Sequence, residues 1–129
     1  MTYAYGDISI LNGKTLSNIE VVRGDYNQDD HIDFITTENE TYRLYHPQDC
    51  CESVTINDII GDVNNLVGSP ILIAREDTNV PPSPVDDGYS ESFTWTFYNL
   101  ATIKGYVTIR WYGESNGYYS ESVYFAKIS

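Results

Sequence analysis

The chain is 129 residues long, 41% hydrophobic and 14% aromatic, with twelve tyrosines, which suffices to bury one core without disulfides or a structural metal and excludes a disordered chain. Nineteen acids against seven bases leave a net charge of −12, a field that repels phosphate backbones and anionic lipid and argues against direct nucleic-acid binding. No apolar run approaches the roughly 18 residues of a membrane span, and the start "MTYAYGDISI" lacks a basic segment followed by an apolar one, so no membrane association and a cytoplasmic location are expected.

In chain order, "DISILNGKTLSNIEVVRGD" (7–25) alternates apolar and polar residues around a tight "NG", the pattern of short antiparallel strands. "DYNQDDHID" follows, with Asp25, Asn27, Asp29 and Asp33 spaced as alternate oxygen donors in a partial calcium-loop pattern. Asp30 stands where such a loop needs glycine, and Thr36 where it needs a bidentate glutamate, so a solvated acidic turn is the preferred reading. "HIDFITTENETYRLYH" predicts a hairpin of strands near 31–36 and 41–46 joined through "TENE".

"HPQDCCE" gathers His46, Asp49, Cys50, Cys51 and Glu52 within seven positions. The chain's nitrogen and sulfur ligands are His31, His46, Cys50 and Cys51, barely a tetrahedral zinc set, and adjacent cysteines on a strand point to opposite faces. No metal is assigned. A His46–Cys50 nucleophile oriented by Asp49 or Glu52 is geometrically open, but no glycine-rich oxyanion loop accompanies it. The structural alternative is a buried cysteine packed as a small hydrophobe and Asp49 capping a turn.

Beyond the cysteines the period changes. Ile56, Ile59, Ile60, Val63 and Leu66 recur at three and four, which predicts a short helix near 55–67 with Thr55 as N-cap and Asp58 in its first turn. "ILIARE" then reads as a strand, and the proline-rich stretch 77–90 as a flexible loop. From 91 onward three strands are predicted, the last two joined at "GESNGY". The expected fold is α+β: one domain over 1–129, a mainly antiparallel twisted sheet of about six to eight strands with one short helix laid on it.

"HPQDCCESV", "DIIGD", "VGSPIL", "TWTFY" and "ATIKGYVTIRWYGESNGYYSESV" together resemble an uncharacterised family of small bacteriophage and mobile-element proteins, a domain of unknown function. The similarity runs over roughly 42–125, interrupted by the proline-rich loop. It implies a setting, the cytoplasm of an infected bacterial host, and no reaction. Proteins of that setting bind and disable host factors, defence systems included.

Independently of the resemblance, "WYGESNGYYSES" joins aromatic planes (Trp111, Tyr112, Tyr118, Tyr119) to polar groups (Ser115, Asn116, Ser120, Glu121), the mixture that stacks a ring and fixes it by hydrogen bonds. An ordinary hairpin with cross-strand aromatic pairs is the bland reading. With His46, Asp49, Cys50, Cys51 and Glu52, these residues are expected to form one surface that binds a host protein or a small ligand. No catalytic residue and no cofactor is assigned, and self-association is left open. The expected function is a non-enzymatic, counter-defence type of inhibitor. The alternatives are an acidic mimic of DNA aimed at a DNA-binding protein, and a hydrolase or transferase using the Cys/His pair.

Overall fold

A computed structural model of the chain describes residues 4–24, 29–47, 52–79, 92–115 and 122–129. Among them nine strands form two antiparallel sheets. The first sheet holds β1 (Ala4–Gly6), β2 (Leu16–Val22), β3 (His31–Thr36), β4 (Thr41–Tyr45) and β9 (Tyr124–Lys127), in the order β1-β9-β4-β3-β2. The second holds β5 (Ser53–Ile60), β6 (Ile73–Asn79), β7 (Ser92–Thr102) and β8 (Gly105–Ser115), in the order β5-β8-β7-β6.

Alternation decides which residues meet between the sheets. On β8, Val107, Ile109 and Trp111 are buried while Thr108, Arg110 and Tyr112 are half-exposed. Ile32, Phe34, Tyr42, Leu44 and Phe125 do the same for the first sheet, and one contiguous cluster takes in both sets. The two apolar faces therefore cover each other, the sandwich solution to burying a sheet.

The helix expected near 55–67 is not formed. Ser53–Ile60 is strand β5, paired along β8, and only Val63–Leu66 coils, as a single 3-10 turn capped by Asp62, whose side chain accepts from Asn64 N at 2.9 Å. The cause of the misreading is a register shift between Ile56 and Asp58. An extra residue in a strand converts the spacing of two into three, so Val54, Ile56 and Ile59 face the core and imitate a helical stripe. Gly61, at φ +101°, then breaks the strand. Without a helix to act as a lid, the second sheet takes that place, and the α+β expectation becomes an all-β sandwich.

The hairpin near 31–46 stands as predicted, with β3 and β4 in register from His31↔Tyr45 to Ile35↔Thr41. Two other connections differ from expectation. Ile8–Leu11 is a 3-10 turn capped by Asp7, where a strand was expected. β8 and β9 lie in different sheets, so "GESNGY" opens a crossover instead of a hairpin: β9 is needed as the rung between β1 and β4. β6 runs to Asn79, and the rest of the proline-rich stretch, with its expected flexibility, lies outside the described residues.

Candidate functional site

The chain passes between the sheets twice, from β4 to β5 through 46–52 and from β8 to β9 through 116–123. Those two crossovers are the segments that the sequence singled out. Both leave from the same end of the sandwich, because Tyr45 pairs Tyr124 in one sheet and Ser53 pairs Glu114 in the other. The β2–β3 connection is at this end too. Arg23 Nη1 donates to Ile56 O at 2.9 Å, and Asp30 accepts from Ile56 N at 2.8 Å and from Gly24 N. Asp30 thus clamps the irregular point of β5 from the opposite sheet.

His46 is the junction of the two crossovers. Its ring is 3% exposed and stacks on Tyr124, with centroids 6.2 Å apart and planes 9° apart. The Ser122 carbonyl, which can only accept, lies 2.6 Å from Nδ1 and fixes the proton on that nitrogen. Nε2 then faces Glu52 Oε1 at 3.5 Å, and the Glu52 side chain is itself almost fully enclosed. At that distance Nε2 makes no hydrogen bond among the described residues. His46 and Glu52 tie the start of the first crossover to its end, and to the end of the second.

The remaining expected residues divide. Trp111 is 1% exposed in the common core, opposite Ile56 and Thr96; its indole fills the sandwich and offers no ring to a ligand. Its Nε1 has no hydrogen-bond acceptor among the described residues. Ser115 is buried at the end of β8. Tyr112 lies on the outer face of the second sheet, 4.6 Å from the Trp95 ring centroid, with its hydroxyl 3.3 Å from Glu114. Asp49, Cys50, Cys51, Asn116, Tyr118, Tyr119, Ser120 and Glu121 lie outside the described residues, as do Asp25 and Asn27 of the calcium pattern.

Asp33 of that pattern is already occupied by a cation. Arg43 reaches its two oxygens at 2.7 and 2.9 Å in a bidentate pair. Asp29 is exposed, and its carbonyl lies 3.2 Å from His31 Nδ1. No three His, Cys, Asp or Glu side chains among the described residues come together as a metal site.

Sequence reasoning missed a cleft of about 100 Å³ on the flank of the sandwich, lined by Asp7, Glu76, Tyr98, Val123 and Tyr124 among others. Tyr98 donates to Glu76 Oε1 at 2.7 Å, and burial, with the carboxylate beside it, holds the hydroxyl far above the ordinary tyrosine range. The tyrosine alternates inward on β7 and the glutamate sits opposite it on β6; only the pairing of strands distant in sequence could have revealed it.

A family model for a domain of unknown function, DUF7448, matches residues 9–125. The chain belongs to that family. Membership agrees with the expectation of an uncharacterised family. No curated protein and no solved structure matches the chain. Among the described residues of this DUF7448 domain, no helix is long and apolar enough to cross a membrane.

Proposed function

We propose that this protein is a small non-enzymatic binding module that grips a protein surface with the crossover end of its sandwich, and that in a phage setting the partner is a host factor, inhibited by being covered. The observation that carries this reading is the use of His46. Both ring nitrogens face groups of the protein itself, Ser122 and Glu52, and the ring is buried under Tyr124. A histidine so held supports the two crossovers, and its enclosure disfavours its use as a general base.

The cleft beside Tyr98, at about 100 Å³, is itself small against the roughly 300–1,000 Å³ of small-molecule sites. The DNA-mimic alternative rests on the charge of −12. Asp30, Asp33 and Glu52 turn their carboxylates to partners inside the fold, which weakens the resemblance to a row of phosphates.

The test is a quantitative capture from host lysate with the wild-type chain and with a variant whose residues 117–120 are replaced by glycine and serine at equal length. The expected result is a partner enriched by the wild type and lost at least about tenfold by the variant, with unchanged melting temperature. Capture that survives the replacement, or a substrate turned over in dependence on Cys50, would sink the proposal.

A further inference from the structure

The outer face of the four-stranded sheet is built in transverse rows. Ile73, Ala101 and Tyr106 make one; Arg75, Asn99, Thr108 and Ile60 the next; Asp77, Phe97, Arg110 and Asp58 a third; Trp95, Tyr112 and Thr55 a fourth. Three of its apolar members are strongly exposed, Ile60 54%, Tyr106 63% and Ile73 41%, with Leu72 58% and Ile103 79% at its margin; Trp95, Phe97 and Tyr112 are half-exposed and Ala101 is buried. Scattered exposed apolar residues are ordinary, but a contiguous apolar patch marks a contact surface.

Arg75 and Arg110 of this face are matched by Asp77 and Asp58, and Glu114 at its end accepts from the Tyr112 hydroxyl, in a chain whose total is −12. Arg75 Nε meets Asp77 at 3.0 Å, and Asp77 also accepts from Asn99, which in turn accepts from Thr108. Arg110 donates to Asn57 at 2.8 Å, lies 3.8 Å from Asp58 and sits over the Trp95 ring at 5.3 Å. Polar groups already partnered within the chain lose less when water is removed, and arginine with aromatic rings is the composition of interface centres. Two copies carrying the same large negative charge can approach only where that charge is locally cancelled.

The size is also right. Strands about 4.8 Å apart and rising about 3.4 Å per residue give these four a face of roughly 600 Å² in projection. A standard interface takes about 800 Å² of accessible surface per partner, which a corrugated face of that projection supplies. We infer that this face is a self-association surface, on which a second copy of the chain packs sheet to sheet about a two-fold axis.

The experiment is sedimentation velocity over a concentration series. The wild type is expected to move from the mass of one chain to that of two with a dissociation constant on the order of micromolar. Tyr106→Asp and Ile60→Asp should each weaken association by at least about 30-fold, the size of a single hot-spot residue, with little change in melting temperature because both side chains are exposed. Asn18→Asp adds the same charge at an exposed position of β2 in the other sheet and should leave association intact. A wild type that stays monomeric through the micromolar range overturns the inference, as does a dimer that both face variants preserve or that Asn18→Asp dissolves equally.

Discussion

Among the described residues the two ends of the sandwich are closed by different chemistry. At the end opposite the crossovers the sheets are strapped by backbone: Gly13 N donates to Ile71 O at 2.8 Å, Ile71 N to Lys14 O at 2.9 Å and Gly68 N to Leu16 O at 2.9 Å. At the crossover end the ties run through side chains: His46 to Glu52 and Ser122, Asp30 and Arg23 to Ile56. A backbone strap constrains every residue in it. A side-chain tie constrains only its own residues. Surfaces that must fit a partner are placed on connections of this kind.

The largest expected effect breaks the crossover end at its center. His46→Ala removes an enclosed ring that stacks on Tyr124, meets the Ser122 carbonyl and faces Glu52, and should cost about 3–5 kcal/mol, read as a lowered urea midpoint at constant slope. His46→Leu combined with Glu52→Met should recover most of that loss, since an apolar pair needs no compensation. A single variant within about 1 kcal/mol of wild type would mean that His46 and Glu52 do not form the tie. Next in size is Gly61→Ala at the strapped end. The residue sits at φ +101°, and a Cβ there would meet the Tyr106 carbonyl oxygen. Strain and a backbone clash together should cost more than about 2 kcal/mol, by the same measurement.

How far the sequence discloses this division follows from range. The hairpin of β3 and β4 was legible because period-two alternation and its turn lie within sixteen consecutive residues. The helix near 55–67 was a misreading because the residue added at Ile56/Asp58 exists only in relation to β8, some fifty positions away. "HPQDCCE" and "YYSES" were legible as unusual segments. That His46 and Glu52 hold one crossover to the other was not, since it needs the knowledge that both leave the same end. Trp111 was read as part of a binding surface when strand alternation alone, counted from Val107, turns it inward.

A smaller effect sharpens the contrast. Asp30→Ala removes the acceptor of Ile56 N and Gly24 N, two donors at the inter-sheet contact, and should cost about 1–3 kcal/mol. Because Asp30 also stands in the calcium pattern, the same variant separates two readings. Calcium should leave the melting temperature of wild type and variant alike unmoved, whereas a rise of about 4 °C or more in the wild type, lost in Asp29→Ala, would restore the metal site.

The smallest effect belongs to the ion pairs of the strapped end. Lys14 lies 3.1 Å and Lys127 3.3 Å from Glu40, all three partly exposed. The hydrogen bond from Lys14 holds the Glu40 carboxyl below its ordinary range, and the same bond holds the Lys14 ammonium above its own. The signs set the window. A lowered acid contributes stability above the ordinary carboxylate range and loses it as pH falls through the lowered value; a raised base contributes below the ordinary lysine range and loses it as pH rises through the raised value. Between those limits both contributions are fully present and do not change with pH. Glu40→Gln should change the thermal midpoint near neutral pH only slightly, and molar salt should erase the difference, since exposed pairs are screened by ions that do not reach an enclosed one. The His46→Ala deficit should persist in the same salt. If salt abolished both differences equally, the tie between the crossovers would be a surface ion pair like the other, and the two ends of the sandwich would not differ in the way the distances and burial require.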